Sequence, residues 1–164
     1  MAEPLRLRQL LEQLVAAEIR FVLVGGLAVN AWGYIRATRD VDIVPDSSPH
    51  NLERLDALLA GLGGRVDVDG RLLDSNAISP FLKTGDRTLV VTELGRVDVL
   101  QGLPQIPSFA VLDATATDVD MDGLAVRVCS LDHLLEMKRA SERPRDRDDL
   151  EALEDAQETG DSSG

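Results

Sequence analysis

Two aspartates one residue apart, Asp40-Val41-Asp42, follow a glycine pair, Gly25-Gly26, with thirteen residues in between that include Arg36 and Thr38. Residues 40–44 alternate polar and apolar, the pattern of a strand, so Asp40 and Asp42 should project to one side while Val41 and Ile43 project to the other. Two carboxylates confined on one surface repel each other unless a cation neutralises them. Hard oxygen ligands suit Mg²⁺, which commonly keeps waters and substrate phosphates as its other ligands. A Gly-Gly step between a strand and a helix lets backbone amides approach an anion. Each feature alone has a plainer counterpart: Asp-x-Asp fits an edge strand with an acidic solvent face, and Gly-Gly fits a simple turn. Together they gain force, because the intervening length suffices for one short helix and a return strand beside the first. That topology sets the anion turn and the carboxylates side by side.

The elements that must position them follow from periodicity. Leu7, Leu10, Leu11, Leu14 and Val15 have helical spacing within Leu5 to Glu18, and Phe21 to Val24 form a short buried strand. A helix over Leu27 to Trp32 starts directly after the glycines. Asp40 to Val44 form the second strand, and a helix follows over about Asn51 to Leu62. Gly63 to Pro80, rich in glycine and aspartate, receives no assignment. Thr88 to Thr92 and Arg96 to Leu100 form a hairpin, as do Thr117 to Met121 and Leu124 to Val128 around Asp122-Gly123. Ser130 caps a helix over Leu131 to Ser141, and the last helix covers about Asp146 to Gln157. This is a mixed α/β (α+β) domain, a small mixed sheet flanked by helices. One domain spans residues 1–158, and residues 159–164 are expected to be a disordered tail.

These motifs, in this order, resemble the nucleotidyltransferase superfamily that shares the DNA polymerase beta-like palm. Val24-Gly25-Gly26 matches its glycine turn, Asp40-Val41-Asp42-Ile43 its paired carboxylates, and Val97-Asp98-Val99 its third carboxylate on a later strand. Gly33, Arg36, Thr38, Asp40 and Asp42, with the string Lys138, Arg143, Asp146, Asp149 and Leu150, are similar to small bacterial enzymes related to type IV toxin-antitoxin toxins. The resemblance spans roughly residues 5 to 155. It implies Mg²⁺-dependent transfer of a nucleoside monophosphate from a triphosphate to a hydroxyl of RNA, protein or a small molecule. Asp40, Asp42 and Asp98 would be the catalytic and metal-holding residues, Asp98 also accepting the proton of the attacking hydroxyl. Gly25, Gly26, Arg36, Thr38 and Lys138 would bind nucleotide, Arg36 through a forked pair of bonds. A cognate antitoxin is a further partner that the resemblance implies. The alternative is a non-catalytic nucleotide-binding or partner-binding module of a toxin-antitoxin pair.

Charge and composition narrow the choice of partner. The formal net charge is −12, which speaks against a broad basic nucleic-acid footprint and for a small or locally held substrate. Residues 141–164 hold nine acids and three arginines, read as a solvated C-terminal helix and tail, with Arg143, Asp146 and Asp149 as an ion-pair knot docking the last helix. Lys138 fits a solvated surface as well as a site. No long apolar run or signal pattern is present, so no membrane association is expected and a cytoplasmic location is the default. Cys129, the single cysteine, reads as a small buried hydrophobe. Asp118-x-Asp-x-Asp-Gly123 begins like a calcium loop but has Cys129 where a glutamate is needed, and Asp67-Val-Asp69 reads as a solvated pair.

Overall fold

The apolar run Phe21–Val24 forms β1, buried along its whole length because it lies inside the sheet. In the computed structural model, which describes residues 2–141 and 143–161, β1 is preceded by α1 (Ala2–Ala16) and followed by α2 (Gly25–Ala31) and β2 (Asp40–Pro45). The chain continues through α3 (Pro49–Gly61), β3 (Arg65–Val68), β4 (Arg71–Leu72), a 3₁₀ turn (Ser75–Ala77) and α4 (Ile78–Thr84). Then come β5 (Asp86–Thr92), β6 (Gly95–Gln101), α5 (Phe109–Thr115), β7 (Thr117–Met121), β8 (Leu124–Val128), α6 (Leu131–Ala140) and α7 (Pro144–Asp161). The mixed α/β class is as expected. The sheet is wider than the small one anticipated, with eight strands in the order β4-β3-β5-β6-β2-β1-β8-β7.

The centre of the sheet sets the geometry. β2 runs antiparallel to β1 and parallel to β6, pairing Val24 with Asp42, and Asp42 with Asp98. Val41 and Ile43 of β2 and Val97 and Val99 of β6 are fully buried on the opposite face, where α1 lies against both strands. Leu7, Leu10, Leu11 and Leu14 supply the apolar stripe of α1. The Asp122-Gly123 hairpin has φ of +55° and +90° at its two central residues, as a tight primed turn requires.

Several boundaries differ from expectation. Helix α2 begins at Gly25, so the glycines form its first turn instead of preceding it. The unassigned segment contains β3, β4, the 3₁₀ turn and the first three residues of α4, and its Asp69-Gly70 turn (φ +52° and +86°) repeats the Asp122-Gly123 device. Helix α7 runs to Asp161, into the segment expected to be a tail, and residues 162–164 lie outside the described residues. Among the described residues no helix is long and apolar enough to cross a membrane.

Candidate active site

Parallel pairing of β2 with β6 puts Asp42 and Asp98 in register, and Asp40, two residues along, shares their face beside Arg96. Asp98 is 5% exposed, whereas Asp40 and Asp42 are half-buried. The glycine pair is required by the same geometry. Gly25 takes φ +70°, and a Cβ there would lie 1.9 Å from Asp42 Oδ2; one on Gly26 would lie 2.7 Å from Thr38 Oγ1 and 3.1 Å from Arg36 Nη2. Only glycine lets the first turn of α2 close over Asp42 and the segment that leads into β2.

All eight residues singled out from the sequence, Gly25, Gly26, Arg36, Thr38, Asp40, Asp42, Asp98 and Lys138, line one cavity of about 660 Å³. Leu100, Leu103, Ile106, Leu134 and Met137 give it an apolar wall. Five cations, Arg36, Arg87, Lys138, Arg143 and Arg145, and four carboxylates, Asp40, Asp42, Asp98 and Asp146, also face it. The lining is therefore slightly positive in a chain of net charge −12.

Burial and repulsion from Asp98 and Asp40 push the Asp42 carboxyl up to about 7, with Lys138 and Arg87 offsetting only part of the effect. Asp40 Oδ1 is buried without a hydrogen-bond partner, Arg96 Nε standing 3.4 Å away. An orphaned carboxylate oxygen beside a carboxyl that resists ionisation is a donor set short of positive charge, and its hard oxygens fit a divalent cation such as Mg²⁺. Among the described residues no three His, Cys, Asp or Glu side chains converge as a metal cluster. Asp98 is instead drawn onto Arg87, whose Nε donates to both its oxygens at 2.9 and 2.8 Å. Sequence reasoning missed Arg87.

Two of the expected nucleotide-binding cations are engaged elsewhere. The fork of Arg36 closes on Asp149 of α7, Nε to Oδ1 at 2.7 Å and Nη2 to Oδ2 at 2.9 Å, so the forked pair goes to a carboxylate of the chain itself. Lys138 is 6% exposed, not solvated, and its Nζ lies 2.6 Å from Asp146 Oδ1 and 3.1 Å from Asp149 Oδ2. Arg143 and Ser141 complete the knot on Asp146. Asp146 and Asp149 are thus buried, unlike the exposed Asp148, Glu151 and Asp155 of the same acidic helix. Burial alone would raise the Asp146 carboxyl, but the bonds from Lys138, Ser141 and Arg143 outweigh it and hold it at about 2. Arg39 is exposed. Cys129 is fully buried, its thiol pushed up to about 12 by burial. Asp67 and Asp120, the decoy carboxylates, each accept a hydrogen bond from the glycine that ends their hairpin turn.

A mixed sheet carrying three aspartates on adjacent strands beneath a glycine turn defines a nucleotidyltransferase-type domain. Comparison with known proteins agrees. Residues 4–162 match the family described as "Nucleotidyl transferase of unknown function (DUF2204)", and the chain belongs to that family. No curated protein matches it. Among solved structures it is similar to the lincosamide antibiotic adenylyltransferase LnuA bound to lincomycin (TM-score 0.67, 16% identity, covering 91% of this chain and 94% of that one). It is also similar to ANT(2″)-Ia in complex with adenylyl-2″-tobramycin (TM-score 0.58, 17% identity, 94% and 97% covered). An antigenic nucleotidyltransferase-like protein from Paracoccidioides brasiliensis gives a TM-score of 0.59 at 20% identity, with 88% and 71% covered. At such identities the likeness is one of fold.

Proposed function

We propose that this nucleotidyl transferase moves a nucleoside monophosphate from a nucleoside triphosphate to a hydroxyl of a small molecule, with Mg²⁺ as its cofactor. The observation that carries the proposal is the register of Asp42 with Asp98, Asp40 beside them, at the floor of a cavity roofed by Gly25 and Gly26. Asp40, Asp42 and Asp98 would hold the cation, which when bound supplies charge neutralisation on the phosphate oxygens. The chain's own groups do the rest. The first turn of α2 has no side-chain cap, which leaves its amides for a phosphate, and Thr38 lies beside it. Asp98 accepts the proton as the acceptor oxygen bonds to the α-phosphorus; the bond from that phosphorus to the bridging oxygen breaks, and pyrophosphate leaves.

A small acceptor is supported by three features. The cavity has the size of small-molecule sites, one wall is apolar, and the acidic chain lacks the surface charge that a long nucleic acid would need. LnuA and ANT(2″)-Ia, of like fold, carry names that mark small antibiotics as their ligands. The test is label transfer from each α-labelled triphosphate, with Mg²⁺, to pools of small hydroxyl compounds, cellular RNA and protein, wild type beside Asp98→Asn. The small-molecule pool should be labelled by wild type, and the variant should retain nucleotide binding but lose on the order of 10²-fold in transfer. Label in RNA or protein alone would move the acceptor to that class. Equal labelling by both proteins would remove Asp98 as the base, and no labelling by wild type would favour a binding module, including one half of a toxin-antitoxin pair.

A further inference from the structure

Arg87 enters the site from the neighbouring strand. In the antiparallel β5–β6 ladder Leu89 stands opposite Asp98, so Arg87, two residues back on the same face, lies diagonally across from the carboxylate. Its Nε bonds to both oxygens of Asp98, and Nη2 lies 2.8 Å from Oδ2. The two partners differ sharply in exposure: the Asp98 side chain is 8% exposed and that of Arg87 55%. No other hydrogen bond or ion pair of Arg87 occurs among the described residues. Arg36 and Lys138 tie separate elements together, whereas Arg87 bridges two strands already joined by backbone pairing along their full length. The sheet does not need it for register. What it supplies is charge, at the one carboxylate of the three that would otherwise be buried beside Asp42 with no counter-ion.

We propose that Arg87 is an internal counter-cation and a positioning residue: it holds Asp98 against β5 in the resting enzyme and releases it when a divalent cation enters the site. The inference rests on the metal-dependent function proposed above. Both oxygens through which Asp98 would reach a cation are taken by one guanidinium, so Arg87 and the cation compete for the same carboxylate. Release is easy for an arginine whose side chain is half in solvent and whose only hydrogen-bond or ion-pair partner among the described residues is the group it gives up. The arrangement offsets part of the repulsion among the three carboxylates in the unloaded site and opens the third ligand only on loading. Linkage then fixes a sign. A group that stabilises only the unloaded state lowers cation affinity, so removing it must raise that affinity, whereas a purely structural prop would leave it unchanged or reduce it.

The probe is Mn²⁺, titrated into the full chain and followed by the electron paramagnetic resonance signal of the free ion. Wild type, Arg87→Met, Arg87→Lys, Asp98→Asn and the Arg87→Met/Asp98→Asn pair are compared. Arg87→Met should bind Mn²⁺ about tenfold more tightly, the order expected when one part-exposed charge-assisted fork stops competing. The gain should vanish in the Asp98→Asn background, where no carboxylate remains to be released. Arg87→Lys keeps the charge but loses the fork, and it should show a smaller gain of the same sign even if Arg87→Met fails to fold. Unchanged or weaker binding by the folded Arg87 variants overturns the proposal. So does a gain that survives Asp98→Asn, since that would be general charge repulsion. If wild type binds Mn²⁺ and the Arg87 variants bind no better, only the role of Arg87 falls; if no protein of the set binds Mn²⁺, the metal-dependent function fails and this inference with it.

Discussion

Replacing Gly25 by alanine tests the closest contact in the site. The substitution carries two costs that the structure separates. At φ +70° an alanine occupies left-handed backbone, which costs about 1 kcal/mol relative to glycine. Its Cβ would also stand 1.9 Å from Asp42 Oδ2, 2.7 Å from Cγ and 2.8 Å from Cβ, so the body of the aspartate, not only its tip, must move. Forced displacement in a packed site costs about 1–3 kcal/mol. The sum, about 2–4 kcal/mol, is a large share of the roughly 5–15 kcal/mol expected for a domain, and corresponds to a melting temperature lower by about 10 °C. The assay is urea unfolding of wild type, Gly25→Ala, Asp42→Ala and the double variant. Because Asp42→Ala removes the two closest atoms, the penalty of Gly25→Ala should shrink by about 1 kcal/mol in that background, leaving the backbone strain and the remaining Cβ contact. If Gly25→Ala is as stable as wild type, or its penalty is the same with and without the Asp42 carboxylate, the glycine turn does not close over Asp42.

Three further predictions concern the charged groups. Asp42→Asn should stabilise the metal-free protein at pH 8 by about 1 kcal/mol or more. The folded carboxyl ionises near 7 and the unfolded one near 3.8, so the stability linked to its proton is present below about 4 and lost as pH rises through about 7. The advantage of the amide should accordingly fade toward pH 4, as urea titrations across that range would show. Asp149→Ala should lower stability by about 3 kcal/mol, since it strips a fully buried partner from Arg36 and Lys138; a loss below about 1 kcal/mol would mean that the knot is solvated. Asp146, held at about 2, contributes stability that is present above 3.8 and lost as pH falls toward 2. The acid limb of a pH–stability curve should therefore be shallower in Asp146→Asn, and an unchanged limb would assign acid sensitivity to other carboxylates.

The parts of the fold that the sequence made legible are those governed by local signals. Phe21–Val24, the β2 alternation and the hairpin at Asp122-Gly123 each announce themselves within a few residues, and all fall where expected. Asp69-Gly70 carries the same hairpin signal, but its flanking strands of four and two residues offer almost no alternation to support it. Helix α5 has a Ser108 cap, whose Oγ accepts from Val111 N, and only one buried residue, Leu112, so no apolar stripe marks it. The carboxylates of the site were readable because a strand fixes which side chains share a face. Arg87 was not, because its approach to Asp98 depends on the register of β5 on β6, and one strand's pattern does not contain its neighbour's offset. The solvated alternative for Lys138 fails for a related reason, while the residue lines the cavity as the site reading expected. A lysine on an amphipathic helix reads as solvated until another element, here α7, covers it.

That covering helix alters what counts as the site. Asp149 lies more than a hundred residues from the glycine turn in sequence, yet it grips the Arg36 guanidinium. Nη2 of that arginine stands 3.1 Å from the point a Cβ on Gly26 would occupy. The segment carrying Thr38 into β2 is thereby clamped between the first turn of α2 and the buried carboxylate of α7. Lys138 completes the clamp by touching both Asp146 and Asp149 while its charge lowers the Asp42 carboxyl from across the cavity. An acidic C-terminal helix would by charge alone be repelled from a face bearing Asp40, Asp42 and Asp98. It docks because its two inward aspartates meet Arg36 and Lys138 from other elements, so that each of these cations serves a structural partner while still facing the cavity. The balance explains why cations that the motif pattern marks for nucleotide are held by carboxylates in the resting fold: the same ion pairs that attach α7 keep the guanidinium and ammonium groups aligned along the wall that a triphosphate would meet.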